Sequence, residues 1–351
     1  MLSPSQFRDL VSGRRRGLPA LLARGLLRLA EFPYTAEVRR RNRAFDGGRR
    51  TPARVEVPVI SVGNLTLGGT GKTPLVAWIA RWLRDRDVRV TIISRGWAAG
   101  PGGRNDEAIE LEQSLRDVPH LQNRDRVAAA RTAIDELDCQ TILLDDGFQH
   151  RRLARDLDIV LLDALEPFGF GHVFPRGTLR EPVEGLARAG VIVLSRADLA
   201  DAAQRLRIRD EVNRHAPDAA WAEIVHAPRE LITSGGRRAP LNQLTGKPVA
   251  AFCGIGNPAG FRHTLSACGF RIAGFREFAD HHAFTRDDVT ELTEWADNLK
   301  ADALVCTHKD LVKLDVDRLG DKPLWALKIA VVFQIGQDLL ERRLAGVVGR
   351  R

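Results

Sequence analysis

The sequence predicts an α/β protein in which a parallel sheet is covered by helices, followed by a second, smaller α/β unit. Short apolar runs typical of buried strands alternate with helix-like segments from Val57 onward. One of these strands, residues 57–62, leads through a glycine-rich turn into a helix at residues 74–84. A length of 351 residues is sufficient for two such units.

The turn between this strand and this helix has the composition of a phosphate-binding loop. Its residues are Thr66, Leu67, Gly68, Gly69, Thr70, Gly71, Lys72 and Thr73. They match the pattern G-x-x-x-x-G-K-[ST] except that Thr66 replaces the first glycine. Glycines let backbone N–H groups converge on an anion, Lys72 can reach the β/γ-phosphates, and Thr73 can hold Mg²⁺. The alternative is that Gly71-Lys72-Thr73 belongs to a turn with a purely structural role. Its position between a predicted strand and a predicted helix favours a nucleotide site instead.

The fold class predicted is therefore α/β, with a P-loop NTPase-type α/β/α domain and a second, smaller α/β domain. We expect the P-loop domain, with an N-terminal amphipathic helix, at residues 1–220 and the smaller domain at residues 235–323. Residues 221–234 would be a linker strand, and residues 324–351 a return strand with a C-terminal helix. The strand-like segments 222–231 and 324–332 could pair to link the domains.

Acidic residues follow the strand predicted at residues 141–144. Asp145 and Asp146 lie at its end, where a P-loop enzyme holds or orients Mg²⁺. Adjacent carboxylates are costly for structure alone, because like charges repel, so a metal role is favoured over a surface turn. The proline-rich loop 167–182 carries Arg180 and Glu181, which could close over phosphates and metal or form a solvated, salt-bridged loop.

Two further segments leave alternatives open. Asp106 begins a predicted helix after a flexible loop and could simply cap that helix. The segment Ser195–Leu199 resembles the guanine-reading segment of GTPases, with Arg196 in place of lysine, and residues 307–311 echo it. A regulatory P-loop GTPase or ATPase that acts through partner binding is therefore the second candidate function.

Composition limits the partners and the compartment. The formal net charge of +8 makes anionic partners plausible, but no aromatic interleaving or known motif favours nucleic acid, so none is expected. Four scattered cysteines without CxxC spacing fit a reducing compartment. Residues 17–32 predict a basic amphipathic helix that could lie on an anionic membrane or dock on its own domain. No stretch is apolar enough to span a membrane.

Taken together, the motifs resemble one family, the tetraacyldisaccharide 4′-kinases (lipid A 4′-kinases) of Gram-negative bacteria. The resemblance extends from the N-terminal helix to about residue 314. The segments that carry it are VPVISVGNLTLGGTGKTP, SRGW, NDEAIEL, LDDGFQHRRLARDLDI, FPRGTLREP, FCGIGNPAGF, FADHHAFT and THKDLVKL. This family's P-loop also lacks the first glycine.

The resemblance implies transfer of the γ-phosphoryl of ATP to the 4′-hydroxyl of tetraacyldisaccharide 1-phosphate, which forms the lipid A precursor lipid IVA. Asp106 would be the catalytic base, assisted by His281 of the Asp280–His281 pair across the interdomain cleft. Further implied roles are Mg²⁺ binding by Thr73, Asp145, Asp146 and Glu181, phosphate binding by Lys72 and Arg180, and disaccharide binding by Arg126, Gln149 and His150. The implied setting is a peripheral monomer at the cytoplasmic face of the inner membrane, bound to a lipid substrate and an anionic surface.

Overall fold

Helices and strands alternate along most of the chain, as the sequence predicts. The computed structural model describes residues 4–96, 106–280 and 282–349. The strands are β1 (Val59–Asn64), β2 (Val90–Ser94), β3 (His120–Gln122), β4 (Thr141–Asp145), β5 (Leu157–Asp163), β6 (Val191–Ser195), β7 (Ala220–Ile232), β8 (Arg238–Ala239), β9 (Pro248–Cys253), β10 (Arg271–Glu277), β11 (Ala303–Thr307), β12 (Arg318–Leu319) and β13 (Lys322–Ile335).

The helices pack on both faces of these strands. They are α1 (Pro4–Val11), α2 (Leu18–Asp46), α3 (Lys72–Arg84), α4 (Asp106–Ser114), α5 (Arg126–Asp135), α6 (Ala202–His215), α7 (Pro258–Ala267), α8 (Arg286–Asn298), α9 (His308–Leu314) and α10 (Gln337–Val348). Short 3-10 turns lie at Gly169–Gly171, Val183–Arg188, Ala197–Leu199 and Leu241–Leu244.

The strands join into one extended sheet with the order β10-β9-β11-β13-β7-β6-β5-β1-β4-β2-β3. Neighbours on either side of the β13–β7 pair run parallel, and β13 and β7 themselves run antiparallel. Strands β1, β2, β4 and β6 are buried along their whole length, because helices cover both faces. Their carboxyl ends therefore meet at one edge, where open α/β sheets bind ligands.

The antiparallel pair β7–β13 connects the two parallel parts of the sheet. Its register runs from Ala326 opposite Ile232 to Ile335 opposite Glu223, with irregularities between Lys328 and Ile329 and between Phe333 and Ile335. This confirms the predicted pairing of residues 222–231 with residues 324–332. The domain boundaries at residues 220, 234 and 323 stay predictions.

The N-terminal helix α2 is longer than the segment predicted at residues 17–32. It continues through Pro33 to Asp46, although a proline cannot donate the backbone hydrogen bond expected at that point. Tertiary contacts hold the helix beyond the proline: the Tyr34 hydroxyl donates to the carbonyl of Arg180, and Arg151 binds Asp46. Within the described residues, no helix combines the length and apolar character needed to cross a bilayer.

Candidate active site

The phosphate-binding loop lies between β1 and α3, as predicted. Gly68 and Gly71 have φ angles of +108° and +80°, which residues with a Cβ rarely adopt. At Gly71 a side chain is also excluded by space, because a Cβ would lie 2.1 Å from Cε1 of His226 on β7. The loop glycines therefore supply both backbone freedom and close packing.

Lys72 and Arg180 meet on the carboxylate of Asp146. The Lys72 ammonium lies 3.4 Å from Asp146 Oδ1 and donates to Asn64 Oδ1 at 3.1 Å. The Arg180 guanidinium donates to both carboxylate oxygens, at 2.8 and 2.7 Å. Burial alone would raise the pKa of Asp146, but the charges of Lys72 and Arg180 outweigh it and hold that pKa well below its usual range. Asp146 is therefore ionised at any working pH.

The oxygen donors expected to hold Mg²⁺ are close to this cluster. Thr73, Asp145 and Asp146 line the same cavity and offer a hydroxyl and two carboxylates. Such oxygens suit Mg²⁺, which proteins bind through one or two carboxylates together with substrate phosphates. Within the described residues, no group of three or more His, Cys, Asp or Glu is arranged to hold a metal by itself.

Glu181 differs from the other expected ligands in its surroundings. Its side chain is fully buried, and it is absent from the described residues that line the cavity. Arg188 donates to both carboxylate oxygens at 2.9 Å, Gln149 to one at 3.0 Å and Asn42 of α2 to the other at 2.9 Å. The carboxylate thus joins α2 to the loop that follows β4.

The residues expected to hold the disaccharide line the cavity together. Arg126 is buried at the start of α5 and donates to the Asp146 carbonyl at 3.0 Å. Gln149 donates to the carbonyl of Asn64 as well as to Glu181. Burial, followed by the positive charges of Arg126 and Arg152, lowers the pKa of His150 to about 4. His150 is therefore uncharged at neutral pH.

The expected catalytic pair falls largely outside the described residues. Asp106 begins α4, and its side chain lies outside the described residues, as does the whole of His281. Asp280, which precedes His281, lines the cavity and lies 3.6 Å from the ammonium of Lys309 on α9. The cavity encloses about 1550 Å³ and extends from the phosphate loop to Asp280.

The phosphate loop is also held by residues that sequence reasoning did not assign to the site, through hydrogen bonds to its backbone carbonyls. Ser195 donates to the carbonyl of Thr70 at 2.7 Å, and Arg196 donates to the carbonyl of Gly69 at 2.9 Å. Arg196 also forms an ion pair with Asp163 at the end of β5. The sequence singled out Ser195–Leu199 for another reason, whereas nothing in it marked Asn64 or His226.

The guanine-reading interpretation finds no support at Asp310. Its carboxylate is fully buried and accepts hydrogen bonds from the Gly254 amide at 3.1 Å and the Thr307 hydroxyl at 2.6 Å. An acid that reads guanine must face the base instead. Asp310 therefore serves to join β9, β11 and α9.

A comparison with protein families finds a match over nearly the whole chain. The family model described as "Tetraacyldisaccharide-1-P 4'-kinase" matches residues 23–348. The chain belongs to the tetraacyldisaccharide 4′-kinase family. The predicted family and the predicted P-loop NTPase-type fold are thus confirmed, and the regulatory GTPase interpretation is not favoured.

Relatives of this kinase family match at similar length. The tetraacyldisaccharide 4′-kinase of Anaeromyxobacter dehalogenans strain 2CP-C is 40% identical, over 94% of this chain and 92% of its own. That of Anaeromyxobacter sp. strain K is 42% identical over the same shares. A crystal structure of LpxK from Aquifex aeolicus in complex with ATP superposes with a TM-score of 0.74 at 27% identity, covering 93% of this chain and 99% of that one.

Proposed function

We propose that this chain is an ATP-dependent lipid kinase that phosphorylates the 4′-hydroxyl of tetraacyldisaccharide 1-phosphate to form lipid IVA. The observation that carries the proposal is the cluster of Lys72, Arg180 and Asp146 at a phosphate loop. This cluster opens into a cavity large enough for a disaccharide as well as a nucleotide. Family membership supplies the identity of the acceptor.

The nucleotide would lie with its phosphates against the loop Thr66–Thr73. Backbone amides of the loop and the start of α3 would bind the phosphate oxygens, and Lys72 and Arg180 would turn from Asp146 toward them. Thr73, Asp145 and Asp146 would hold Mg²⁺, which when bound neutralises charge on the β- and γ-oxygens. Glu181 would reach the metal only if Arg188, which binds both of its oxygens, and Gln149 or Asn42 released it, so its contacts favour a role in orienting Gln149.

The acceptor hydroxyl would be activated at the N-terminus of α4. We propose that Asp106 accepts the hydroxyl proton as the oxygen attacks the γ-phosphorus, and that His281 orients the Asp106 carboxylate. The contact of Asp280 with Lys309 would fix the segment that carries His281. Arg126, Gln149 and His150 would hold the disaccharide between this segment and the phosphate loop.

The N-terminal helix provides a surface for the membrane that contains such a lipid. The side chains of Leu18, Leu21, Leu22, Leu26, Leu29 and Phe32 are 60–79% exposed, which disfavours the alternative that this face docks on its own domain. Arg14–Arg16 and Arg39–Arg41 flank the apolar face. We propose that α2 lies on the anionic cytoplasmic face of the inner membrane and that the protein acts as a monomer.

The direct test is transfer of ³²P from γ-labelled ATP to purified tetraacyldisaccharide 1-phosphate in detergent micelles. The proposal predicts a labelled lipid that forms with ATP and Mg²⁺, at a rate that depends on the lipid. Slow GTP hydrolysis without a labelled lipid would instead support the regulatory GTPase and would reject the kinase.

A further inference from the structure

Arg8 of helix α1 holds its guanidinium over the phosphate loop. A Cβ placed on Gly68 would lie 2.9 Å from Arg8 Nη2, so the two groups are in close contact. Arg8 lines the same cavity as Lys72, Thr73 and Asp146. We propose that Arg8 is a further catalytic residue, which donates hydrogen bonds to the γ-phosphoryl oxygens as that group moves from ATP to the acceptor. The proposal rests on the kinase function above.

The contact with Gly68 places Arg8 close to the expected position of the phosphates. Gly68 is in the middle of the loop Thr66–Thr73, whose backbone amides surround the phosphates of a bound nucleotide. Its φ of +108° favours glycine, and a glycine has no side chain that would separate Arg8 from the loop backbone. The guanidinium therefore lies next to the loop at Gly68, within the cavity that the loop lines.

Aromatic packing fixes α1 relative to the known parts of the site. The Phe7 ring packs against Phe174 with 6.1 Å between centroids, and Tyr34 of α2 packs against the same ring at 5.8 Å. The Tyr34 hydroxyl then donates to the backbone carbonyl of Arg180 at 3.2 Å. The position of Arg8 is thereby tied to that of Arg180, whose side chain is expected to face the phosphates.

Arg8 is held less tightly than the other cations of the loop. Its ion pair with Glu166 is 3.9 Å long, and 43% of its side-chain surface is exposed. In contrast, Arg180 binds Asp146 at 2.7 Å. A guanidinium with a weak partner can turn to a phosphoryl group when the nucleotide binds, because its planar donors match phosphate oxygens.

In the step proposed, the bond from the γ-phosphorus to the β-phosphate oxygen breaks and a bond to the 4′-oxygen forms. The hydroxyl proton goes to the base, and ADP leaves with the electron pair of the broken bond. Arg8 exchanges no proton and stabilises the charge on the equatorial oxygens, as arginine fingers do in other phosphoryl transfers. Arg8 precedes residues 23–348, to which the family model matches.

The test compares Arg8→Ala, Arg8→Lys, Glu166→Gln and the control Arg49→Ala, which removes the same charge from an exposed turn after α2. In the micellar transfer assay we expect Arg8→Ala to lower kcat on the order of a hundredfold, with KM for ATP changed less than about threefold. Arg8→Lys should recover part of the rate, because lysine keeps the positive charge but lacks the paired, planar N–H donors of the guanidinium. Arg49→Ala and Glu166→Gln should keep the wild-type kcat.

A second readout does not depend on the lipid. ADP with aluminium fluoride mimics the planar phosphoryl group in transfer, so Arg8→Ala should weaken its binding at least about tenfold and leave ATP affinity unchanged. If Arg8→Ala and Glu166→Gln lowered kcat and the binding of ADP with aluminium fluoride equally, only their ion pair would matter, and the proposal would be overturned. Wild-type kcat in Arg8→Ala would also overturn it. A wild-type protein that labels no lipid would reject the kinase function itself, and the aluminium fluoride measurement would still decide the role of Arg8.

Discussion

The imidazole of His308 on α9 lies against α4, with its Nε2 3.2 Å from Oε1 of Gln113. Its Nδ1 lies 3.6 Å from Oε1 of Glu110 on the same helix. His308 is buried, and the neighbouring Lys309 contacts Asp280. The start of α9 thus joins the helix that begins with Asp106 to the segment that leads to His281.

We predict that His308→Ala lowers kcat by roughly ten- to a hundredfold, because α4 loses the contacts that set its position and a small displacement of a reacting group is costly. The affinity for ATP should not change, since the phosphate loop is untouched. The matched control is His215→Ala, which removes a partly buried histidine from α6. Loss of ATP affinity in parallel with kcat would show general disruption and contradict the prediction. Transfer assays and nucleotide titration measure both quantities.

Lys72→Ala should abolish transfer and weaken binding of Mg-ATP, because Lys72 is the cation that we propose binds the β/γ-phosphates. The same change leaves Asp146 with one cationic partner fewer. Lys247→Ala, at an exposed lysine in the second half of the chain, serves as the control and should have wild-type activity. A fully active Lys72→Ala protein would be incompatible with the assignment of the phosphate loop.

Asp106→Asn should lower kcat by about two to four orders of magnitude, because an amide cannot accept the hydroxyl proton. ATP affinity should be retained. The measurement is the ³²P transfer assay together with a nucleotide titration. Near-normal turnover would remove Asp106 as the base.

The histidine beside the phosphate loop predicts a pH dependence of stability. Burial, and next the charge of Arg196, lowers the pKa of His226 from 6.5 to about 4, although its contact with the Gly71 backbone acts in the opposite direction. Between pH 4 and pH 6.5, His226 is protonated in the unfolded chain but not in the folded chain. The free energy of unfolding therefore falls as the pH decreases from 6.5 to 4. In His226→Gln this fall should be smaller. Denaturant titrations at several pH values measure it, and identical slopes in both proteins would contradict the prediction.

The exposed apolar face of α2 predicts membrane binding. Replacement of Leu22, Leu26 and Leu29 by Glu should reduce cosedimentation with anionic vesicles by more than about tenfold, because burial of apolar area and attraction to anionic lipid are both lost. Leu206→Glu is the control, since Leu206 is 59% exposed on α6. In the α2 variant, the kcat measured in detergent micelles should fall by a smaller factor than the amount of protein that cosediments with vesicles. Unchanged sedimentation of the α2 variant would refute a membrane role for this face.

The sequence alone predicted the elements that depend on local pattern. The phosphate loop and strands such as β1 and β4 followed from hydrophobic periodicity and glycine placement, because these signals are contained in a few consecutive residues. The pairing of β7 with β13 was expected only as a possibility, and the order of strands in the sheet was not predicted. The capping box of α8, Thr285 with Asp288, is a local pattern of the same kind, because both residues lie within one turn of the helix start. The roles of Asp106, His281 and the other site residues stay proposals.

Contacts between distant segments were decided by the tertiary structure. Nothing near His226 in the sequence indicated that it packs on Gly71, and Pro33 marked a helix end that the contacts of Tyr34 and Asp46 override. The enclosure of Glu181 by Asn42, Gln149 and Arg188 likewise joins residues far apart in the chain. Local propensity fixes helices, strands and turns, whereas the partners of a buried charge or ring depend on which segments the folded sheet brings together.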